Sequence, residues 1–492
     1  MTDLARLDLD TLHRVPVAAR PLIQPGSVRP GIVHLGLGAF HRAHQAVYTE
    51  EAISAAGGDW AIVGVAPRSP ELIERLAAQD GLFSVTSVDA AESCTRVVGA
   101  LAAVRHLPSD PVAIVGLLAD PAIRVVTLTV TEKAYALDPA TGRLRADAAV
   151  LADLSQDRPP VTVPGLLVRG LLARARADAG PIALVSCDNL PSNGLRLHSL
   201  VDQALGLCAA RLPDGWLSEN VTFPGTTVDR IVPASTPETL DRAQLALGVA
   251  DLGAVLAEPY KQWVIEDRFP GGRPAWERAG AVLTDDAGPW ERLKLRMLNG
   301  VHSALAYLGA LADCETIASA LTLPGMVSYL DRLANEDIAP SLDPPPGVSA
   351  VEYGRAVRER FANPVIEHRT LQVAMDGSQK LPQRILHTLL DRRAAGASPR
   401  WGALVVAAWM RFVLGTSDGG RALPLDDPLA ETIGRAVANS SDSPEAVVDA
   451  LLALDVVFPA ELAADEEIRR LVTEWLVALT RHGVRSTLGG LA

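Results

Sequence analysis

The sequence predicts an α/β N-terminal domain followed by a predominantly α-helical C-terminal domain. In the first part of the chain, short β-branched runs end in polar or glycine-rich tips and alternate with amphipathic stretches, which is typical of buried parallel strands joined by crossover helices. After about residue 287, strand-like runs become rare and helical patterns follow one another. Because 492 residues exceed one ordinary core, we predict two domains, 1–287 and 288–492.

The apolar patterns locate the elements in chain order. Strands are predicted at residues 31–36, 61–65, 125–130 and 182–186, and crossover helices at 70–79 and 163–179. Helices of the second domain are predicted at 317–335, 351–362, 379–394, 401–414 and 467–481. The proline-rich stretch 340–347 interrupts this series and is predicted to be a surface loop.

The composition indicates a globular enzyme and excludes several classes of partner. Apolar residues make up 48% and charged residues 21% of the chain, and 45 basic against 58 acidic side chains give a formal net charge of −13. This charge repels phosphate backbones and anionic lipid surfaces, so we expect neither a nucleic acid nor a membrane as partner. The first residues, MTDLARLDLDTLHRV, contain no apolar core of signal-peptide length, and we therefore expect a cytoplasmic protein.

Neither disulfides nor a metal site are predicted. The chain has four cysteines without CxxC spacing, which we expect to be reduced thiols: Cys94, Cys187, Cys208 and Cys314. His41 and His44 lie close in sequence, but no third ligand stands at helical spacing. We interpret this histidine pair as structural.

A glycine-rich turn follows the first predicted strand, in the segment GIVHLGLGAFHRAH. Gly36 permits a tight turn, and Gly38 lets the backbone at a helix N-terminus, with Ala39 and Phe40, approach the pyrophosphate of a dinucleotide. His41 stands where the GxGxxG fingerprint has its third glycine. The segment therefore predicts a dinucleotide site, and a glycine-rich loop without a ligand is the alternative.

Residues after the next two predicted strands should contact the cofactor. Glu71 could accept hydrogen bonds from the ribose 2′-hydroxyl of NAD, whereas Arg68 could pair with the 2′-phosphate of NADP. Thr131, just beyond the third predicted strand, is a further candidate contact. We predict NAD(H) as the cofactor, and the mixed signal of these side chains leaves NADP(H) as the alternative.

The segment WERLKLRMLNGVHSALAYLG carries the predicted chemistry. With Lys294 at zero and about 100° per residue, Glu291 falls near ~60° and His302 near ~80° on the helix. Asn299 falls near ~140°. The other positions are largely apolar, so we expect this helix to be buried almost all round. Burial lowers the pKa of a lysine, and such a lysine can act as the general base that removes the hydroxyl proton of a secondary alcohol.

Other polar groups complete the predicted site. Asn299, together with Asn189 just beyond the fourth predicted strand, can donate hydrogen bonds to the developing alkoxide. His302 could orient the substrate, and Glu291 could relay the proton of Lys294 to solvent. The structural alternatives are that the lysine reaches solvent, that the helical asparagine caps a turn, and that the histidine belongs to the core.

At these residues the chain resembles the polyol-specific long-chain dehydrogenase family, which includes mannitol 2-dehydrogenase, arabinitol dehydrogenase and fructuronate reductase. Seven ordered segments along nearly the whole chain carry the resemblance: GLGAFHRAHQAVY, TLTVTEKAY, SCDNLPSNG, FPGTTVDRIVP, EPYKQWVIED, KLRMLNGVHSALAYLG and MDGSQKLPQR. The resemblance implies a Rossmann-type N-terminal domain, a helical C-terminal domain, a site between them and no zinc. A histidine in place of the third glycine is usual in the family.

The resemblance also implies roles for individual residues. The implied catalytic set is the base Lys294, the oxyanion-hole amides Asn299 and Asn189, and the substrate-binding His302. Glu291 would act as a proton gate, and Asp229 and Lys380 would contact the substrate. The expected partner is thus a small polyol or sugar acid, and the resemblance favours a monomer.

Two segments bear on the substrate. The uronate reductases read TEKGY and HRTxQxAMDGSQKLPQR, and this chain reads TEKAY and HRTLQVAMDGSQKLPQR, whereas mannitol enzymes usually read TEGGY and have an arginine in place of Gln372. The side chains that could recognise a uronate carboxylate are Lys133, His368, Arg369 and Lys380. A surface ion pair is the alternative for Arg369. We expect NAD(H)-dependent interconversion of D-fructuronate and D-mannonate, with mannitol 2-dehydrogenase or a related polyol dehydrogenase as the alternative.

Overall fold

The computed structural model describes residues 4–89, 92–138, 141–155, 158–365, 368–438, 440 and 443–491. The chain forms two compact units, Met1–Gly288 and Pro289–Ala492. All strands of the described residues lie in the first unit, and the second is helical, which confirms the predicted fold class. Within the described ranges, no helix is both long enough and apolar enough to cross a membrane.

A six-stranded parallel sheet with the order β5-β2-β1-β6-β7-β8 forms the centre of the first unit. The strands are β1 Pro30–Leu35, β2 Ala61–Ala66, β3 Phe83–Val88, β4 Ser93–Val98, β5 Leu101–His106, β6 Val125–Leu128, β7 Ile182–Ser186, β8 Val221–Thr222, β9 Thr226–Asp229, β10 Val255–Ala257, β11 Gln262–Glu266 and β12 Val282–Thr284. The runs AIVGVA and IALVS are apolar throughout because both faces of the sheet are covered. The order reverses between β1 and β6, which creates a topological switch point at their carboxyl ends.

Two three-stranded sheets lie outside the sequence prediction. Their orders are β10-β3-β4 and β12-β11-β9. Both are mixed, since β3 pairs antiparallel with β4 and parallel with β10, and β11 pairs antiparallel with β9 and parallel with β12. The second of these sheets carries Asp229 at the end of β9.

Helices pack on both faces of the main sheet. Alternate residues of β1 enter two separate apolar clusters, Ile32 in one and Val33 in the other, as the period of a strand requires. The helices of this unit are α1 Ala39–Ala43, α2 Gln45–Ala56, α3 Pro70–Ala77, α4 Pro111–Leu118, α5 Ala148–Ser155, α6 Val163–Ala177, α7 Asn193–Leu207, α8 Trp216–Asn220 and α9 Pro237–Leu247.

The second unit is a helical assembly. Its helices are α10 Gly288–Leu293, which starts at the last residue of the first unit, α11 Val301–Leu311, α12 Ile317–Leu321, α13 Met326–Arg332, α14 Ala350–Phe361, α15 Thr370–Ala374, α16 Gly377–Leu381, α17 His387–Ala394, α18 Arg400–Phe412, α19 Ala430–Val437, α20 Pro444–Leu452, α21 Ala460–Ala464 and α22 Glu466–Gly489. Three further segments have π-helical hydrogen bonding: Lys294–Gly300, Leu333–Ile338 and Pro382–Leu386.

One of the predicted helices is divided in the structure. The predicted helix 317–335 is broken between α12 and α13, where Gly325 has a φ of +79° and an added Cβ would lie 1.9 Å from the carbonyl oxygen of Leu488. Long-range packing sets the local geometry there, which a periodic pattern does not contain. The predicted helix 379–394 is helical throughout, as α16, a π-helical segment and α17 that follow one another without a break.

Candidate active site

A tight glycine turn follows β1. Gly36 has a φ of +102°, and an added Cβ would lie 2.1 Å from the carbonyl oxygen of Thr129, so only glycine fits. At Gly38 the nearest atom to an added Cβ is 3.8 Å away, in the turn itself. Gly38 precedes the first turn of α1, where helix geometry leaves the amides of Ala39 and Phe40 without intrahelical acceptors. The turn therefore has the shape that a pyrophosphate cradle requires.

His41, the residue in place of the third glycine, packs beneath this turn. It is fully buried, and its ring stacks on that of His34 with centroids 3.3 Å apart and 13° between the planes. The Nε2 atom of His34 lies 3.1 Å from the carbonyl oxygen of Gly36. Burial lowers the pKa of His34 to about 3 and the pKa of His41 well below its usual range, so two neutral rings stack. This imidazole pair fills the space in which a third glycine would allow close helix packing.

A cleft of about 220 Å³ opens at the switch point of the sheet. Its lining combines the glycine turn after β1, residues 66–69 after β2 and residues 129–131 after β6. Of the predicted cofactor contacts, Arg68 and Thr131 line this cleft, whereas Glu71 lies outside the lining in the exposed first turn of α3. The two glycines of the turn, the main-chain amides at the start of α1 and the guanidinium of Arg68 suit the phosphates of a dinucleotide.

Asn189 lies in a loop that is held on both sides. The carboxylate of Asp188 accepts hydrogen bonds from the amides of Val130 at 3.1 Å and Thr131 at 2.9 Å. The side-chain amide of Asn193 donates to the carbonyl oxygen of Asp188 at 3.1 Å and to a carbonyl oxygen of β9 at 3.0 Å. Burial raises the pKa of Asp188, and its hydrogen bonds oppose that rise. These bonds fix the residue that directly precedes Asn189.

The other substrate candidates of the first unit flank this loop. Asp229 ends β9 and is buried. β9 begins at Thr226, whose N–H donates to the side-chain oxygen of Asn193 at 3.0 Å, so the FPGTTVDRIVP and SCDNLPSNG segments are joined directly. Lys133 is exposed in the 3₁₀ turn Glu132–Tyr135.

The predicted catalytic helix is present, but its geometry differs from a regular α-helix. α10, the π-helical segment Lys294–Gly300 and α11 follow one another without a break, and nearly all their residues from Leu293 onward are buried. In a π-helical turn residue i bonds to residue i+5, so Asn299 lies one turn above Lys294 instead of about 140° around the helix. Lys294 is 8% and Asn299 6% exposed. The two side chains therefore share one face.

The segment Lys294–Gly300 packs against a second π-helical segment, Pro382–Leu386. An added Cβ on Gly300 would lie 2.9 Å from the carbonyl oxygen of Arg384, so the close approach requires glycine. The guanidinium of Arg384 donates to the carbonyl oxygen of Asn299 at 3.4 Å and to the hydroxyl of Ser303 at 2.9 Å. The side-chain nitrogen of Asn299 is buried and has no hydrogen-bond partner among the described residues. Asn299 is thus not a turn cap, and its amide is available as a donor.

His302 lies next on the same helix and is not a satisfied core histidine. Its ring stacks on Phe361 with centroids 4.5 Å apart and meets His368 edge-on at 4.6 Å. Its Nε2 atom is buried, and the described part of the chain offers it no hydrogen-bond partner. Burial first, and then the neighbouring basic groups of His368, Arg384, Lys380 and Arg360, lower the pKa of His302 well below its usual range. The neutral ring can bind a hydroxyl group.

Lys380 lies close to this histidine pair. Its ammonium donates to the carbonyl oxygen of Met375 at 2.5 Å and lies 3.9 Å from the carboxylate of Asp376. Burial, and after it the charge of Arg384, lower the pKa of Lys380 to about 8. Burial and the charge of Lys380 lower the pKa of His368 to about 4. Lys380 thus changes its charge within the range of pH in which enzymes are assayed.

The remaining candidates of the second unit lie further out. Glu291 is half-buried, one helical turn before Lys294. Arg369 is exposed at the start of α15, as its surface alternative requires. No group of three or more His, Cys, Asp or Glu side chains that could hold a metal ion occurs within the described ranges.

Sequence reasoning missed three residues around His302. Arg384 ends the MDGSQKLPQR segment, so its motif was recognised but its role was not. Arg360 and Phe361 end α14, where the pattern indicates only an amphipathic helix. Their positions beside His302 follow from the packing of separate helices, for which a single sequence contains no signal.

Comparisons with known proteins give two family models and several similar proteins. Residues 30–278 match the family model of the mannitol dehydrogenase Rossmann domain, and residues 286–479 match that of the mannitol dehydrogenase C-terminal domain. The chain is 41% identical over 464 residues to an uncharacterized oxidoreductase, YeiQ, of Escherichia coli, covering 93% of both chains. It is 40% identical over 484 residues to the D-mannonate oxidoreductase of Escherichia coli, covering 97% of this chain and 98% of that one. Among solved structures, Pseudomonas fluorescens mannitol 2-dehydrogenase in complex with NAD and D-mannitol matches with a TM-score of 0.87, 33% identity and 99% coverage of both chains.

Proposed function

Since the chain belongs to the mannitol dehydrogenase family, we propose that it interconverts D-fructuronate and D-mannonate with NAD(H). The first unit would bind the dinucleotide at the glycine turn. The observation that carries the choice of a sugar acid is the position of the Lys380 cation beside the ring pair His302 and His368.

The proposed chemistry assigns one task to each polar group. When bound, the nicotinamide supplies or accepts the hydride. In reduction, the Lys294 ammonium gives a proton to the oxygen that was the ketone carbonyl, and in oxidation the neutral amine takes the proton back. Asn299 and Asn189 donate hydrogen bonds to this oxygen while it carries negative charge. Neutral His302 binds a substrate hydroxyl, and Glu291 passes the proton between Lys294 and solvent.

The charges around His302 support a carboxylate in the substrate. Arg384, Lys380 and Arg360 act on this neutral ring, and the carboxylates of Asp376, Asp426 and Asp427 act on Lys380. The Lys380 ammonium beside His302 could donate a charge-assisted hydrogen bond to a bound carboxylate, a group that a polyol does not offer. Lys380 and His368 are therefore better placed than exposed Arg369 to recognise it.

The test compares two ketones in one assay. The oxidation of NADH by the purified protein is followed by absorbance at 340 nm, with D-fructuronate or D-fructose as the substrate, near neutral pH. If a carboxylate contact contributes, kcat/KM for fructuronate exceeds that for fructose by about 100-fold, which corresponds to ~2.7 kcal/mol of transition-state discrimination. A larger kcat/KM for fructose would instead favour a mannitol 2-dehydrogenase, and turnover of neither ketone would contradict the proposal.

The pH dependence of substrate binding provides a second prediction. Because the pKa of Lys380 is lowered to about 8, its positive charge is present below that pH and is lost as the pH rises through it. The KM for fructuronate should therefore be constant below about pH 8 and rise above it, by up to tenfold per pH unit, whereas the KM for fructose should not. Steady-state kinetics between pH 6 and 10 measure both constants.

Two substitutions serve as controls for this dependence. In Lys380→Ala the KM for fructuronate should be raised by about tenfold or more at pH 7, and its rise above pH 8 should disappear. In Arg369→Ala, which removes an exposed cation at the start of α15, the KM should stay within about threefold. A pH profile of Lys380→Ala identical to that of the unchanged protein would rule out this lysine as the carboxylate contact.

The lining of the cleft predicts that the protein uses NADPH as well as NADH. Arg68 lines the cleft and Glu71 does not, so the 2′-phosphate of NADPH would meet a guanidinium instead of a carboxylate. We expect the two cofactors to differ in kcat/KM by less than about tenfold, and Arg68→Ala to lower kcat/KM for NADPH alone by about tenfold. Arg75→Ala, an exposed arginine of α3, is the matched control. Equal losses for both cofactors in Arg68→Ala would contradict a phosphate contact.

A further inference from the structure

The carboxylate of Asp188 joins the ends of two neighbouring strands. It is 9% exposed and accepts hydrogen bonds from three donors: the amide of Val130 at 3.1 Å, the amide of Thr131 at 2.9 Å and the hydroxyl of Tyr135 at 2.8 Å. These donors follow β6, whereas Asp188 follows β7. The hydroxyl of Tyr135 is itself fixed by the hydroxyl of Ser186 at 2.6 Å.

On the side of β6, the carboxylate holds a strained backbone. Thr131 has a φ of +70°, a conformation that a β-branched residue adopts only where its surroundings enforce it. Thr131 also lines the cleft at the switch point, next to the glycine turn. The bond from its amide to Asp188 is therefore part of what shapes the cofactor side of the site.

On the side of β7, the same residue fixes the start of the loop that carries Asn189. The carbonyl oxygen of Asp188 accepts a hydrogen bond from Asn193 at 3.1 Å, so both its side chain and its main chain are held. An added Cβ on Gly194, in the first turn of α7, would lie 2.6 Å from the carbonyl oxygen of Phe223, so the helix that follows the loop packs closely on this segment. The position of Asn189 is set by these anchors.

We infer that Asp188 is a positioning residue that couples the cofactor side of the site to the substrate side, with Tyr135 as its support. Asp188 holds Thr131 in the cleft wall through its carboxylate, and its main-chain oxygen fixes the start of the loop that carries Asn189. This role rests on the proposed function, because it assumes that Asn189 serves the reacting oxygen. The hydrogen bond from Tyr135 to Asp188 joins the TEKAY and SCDN segments.

Tyr135→Phe tests this role with the loss of one oxygen atom. We expect kcat with the preferred ketone to fall by about tenfold or more, the KM for the ketone to change by less than about threefold, and the Kd of NADH, measured by fluorescence titration, to rise several-fold. Tyr329→Phe is the matched control, because it removes another buried hydroxyl, which donates to the carbonyl oxygen of Trp401 at 3.1 Å in the second unit. It should lower the melting temperature similarly and leave kcat within about twofold.

A double-mutant cycle separates positioning from general destabilisation. Glycine adopts a φ near +70° without help, so in a Thr131→Gly background Tyr135→Phe should change the Kd of NADH by less than about twofold, compared with Thr131→Gly alone. If Tyr135→Phe does not fold, Ser186→Ala takes its place with the same expected readouts. A kcat within twofold of the unchanged protein, at a lowered melting temperature, would overturn the inference. The NADH titrations need no ketone, so they remain decisive even if neither D-fructuronate nor D-fructose is turned over.

Discussion

Replacing Lys294 by alanine is expected to lower kcat by about 10³-fold or more and to leave the Kd of NADH within about twofold. The lysine is 8% exposed and lies in the π-helical segment that also carries Asn299. General acid–base catalysis typically contributes about 10²- to 10⁴-fold, and without the amine the substrate oxygen has no proton donor in reduction. Single-turnover measurement of NADH oxidation, beside a fluorescence titration with NADH, separates the loss of chemistry from a loss of binding.

Two controls accompany this variant. Arg292→Ala removes an exposed cation from the same helix, two residues earlier, and should keep kcat within about twofold. A small primary amine added to Lys294→Ala should restore part of the turnover, because it replaces the missing base at the vacated position. Turnover of Lys294→Ala within about tenfold of the unchanged protein would exclude the lysine as the acid–base group.

Much of the fold could be predicted because its signals are local. The strand at 182–186 was predicted at the bounds that β7 has, since IALVS is an apolar run between polar tips. The small sheets were missed because SCTRVV mixes exposed and buried positions, so its strand character depends on the partner strand. The predicted helix 317–335 ran across Pro324 and Gly325, although a proline followed by a glycine favours a break.

The candidate site could be predicted in its residue types but not in its geometry. An angle of 100° per residue separated Asn299 from Lys294 by about 140°, and the π-helical turn removes most of that separation. At the end of this turn Gly300 contacts the segment around Arg384, which lies 84 residues later in the chain. The hydrogen bonds of Asp188 to residues after another strand are non-local in the same way. The periodicity of a sequence predicts which face of a helix is buried. The π-helical turn and the hydrogen bonds of Asp188 depend instead on which other segments pack against these residues.

Replacing Asn299 by alanine is the second change with a large expected effect, a loss of about 10²- to 10³-fold in kcat. Its side-chain nitrogen has no hydrogen-bond partner within the described part of the chain, and Arg384 bonds its main-chain oxygen, which alanine keeps. The melting temperature should therefore change by less than about 2 °C. Measuring kcat and the melting temperature on the same preparation tests both parts of this expectation.

Ser303→Ala, one helical turn after Asn299, is expected to affect stability and not kcat. It removes the hydroxyl that accepts a hydrogen bond from Arg384 at 2.9 Å, so it should lower the melting temperature and leave kcat within about threefold.

Combining Asn299→Ala with Asn189→Ala tests whether both amides serve the same oxygen. If they do, the double variant loses less than the product of the two single losses, because the second removal acts on an alkoxide that is already poorly stabilised. A kcat of Asn299→Ala within about threefold of the unchanged protein would exclude this amide from the oxyanion hole, and the buried, unpartnered nitrogen would then need a different explanation.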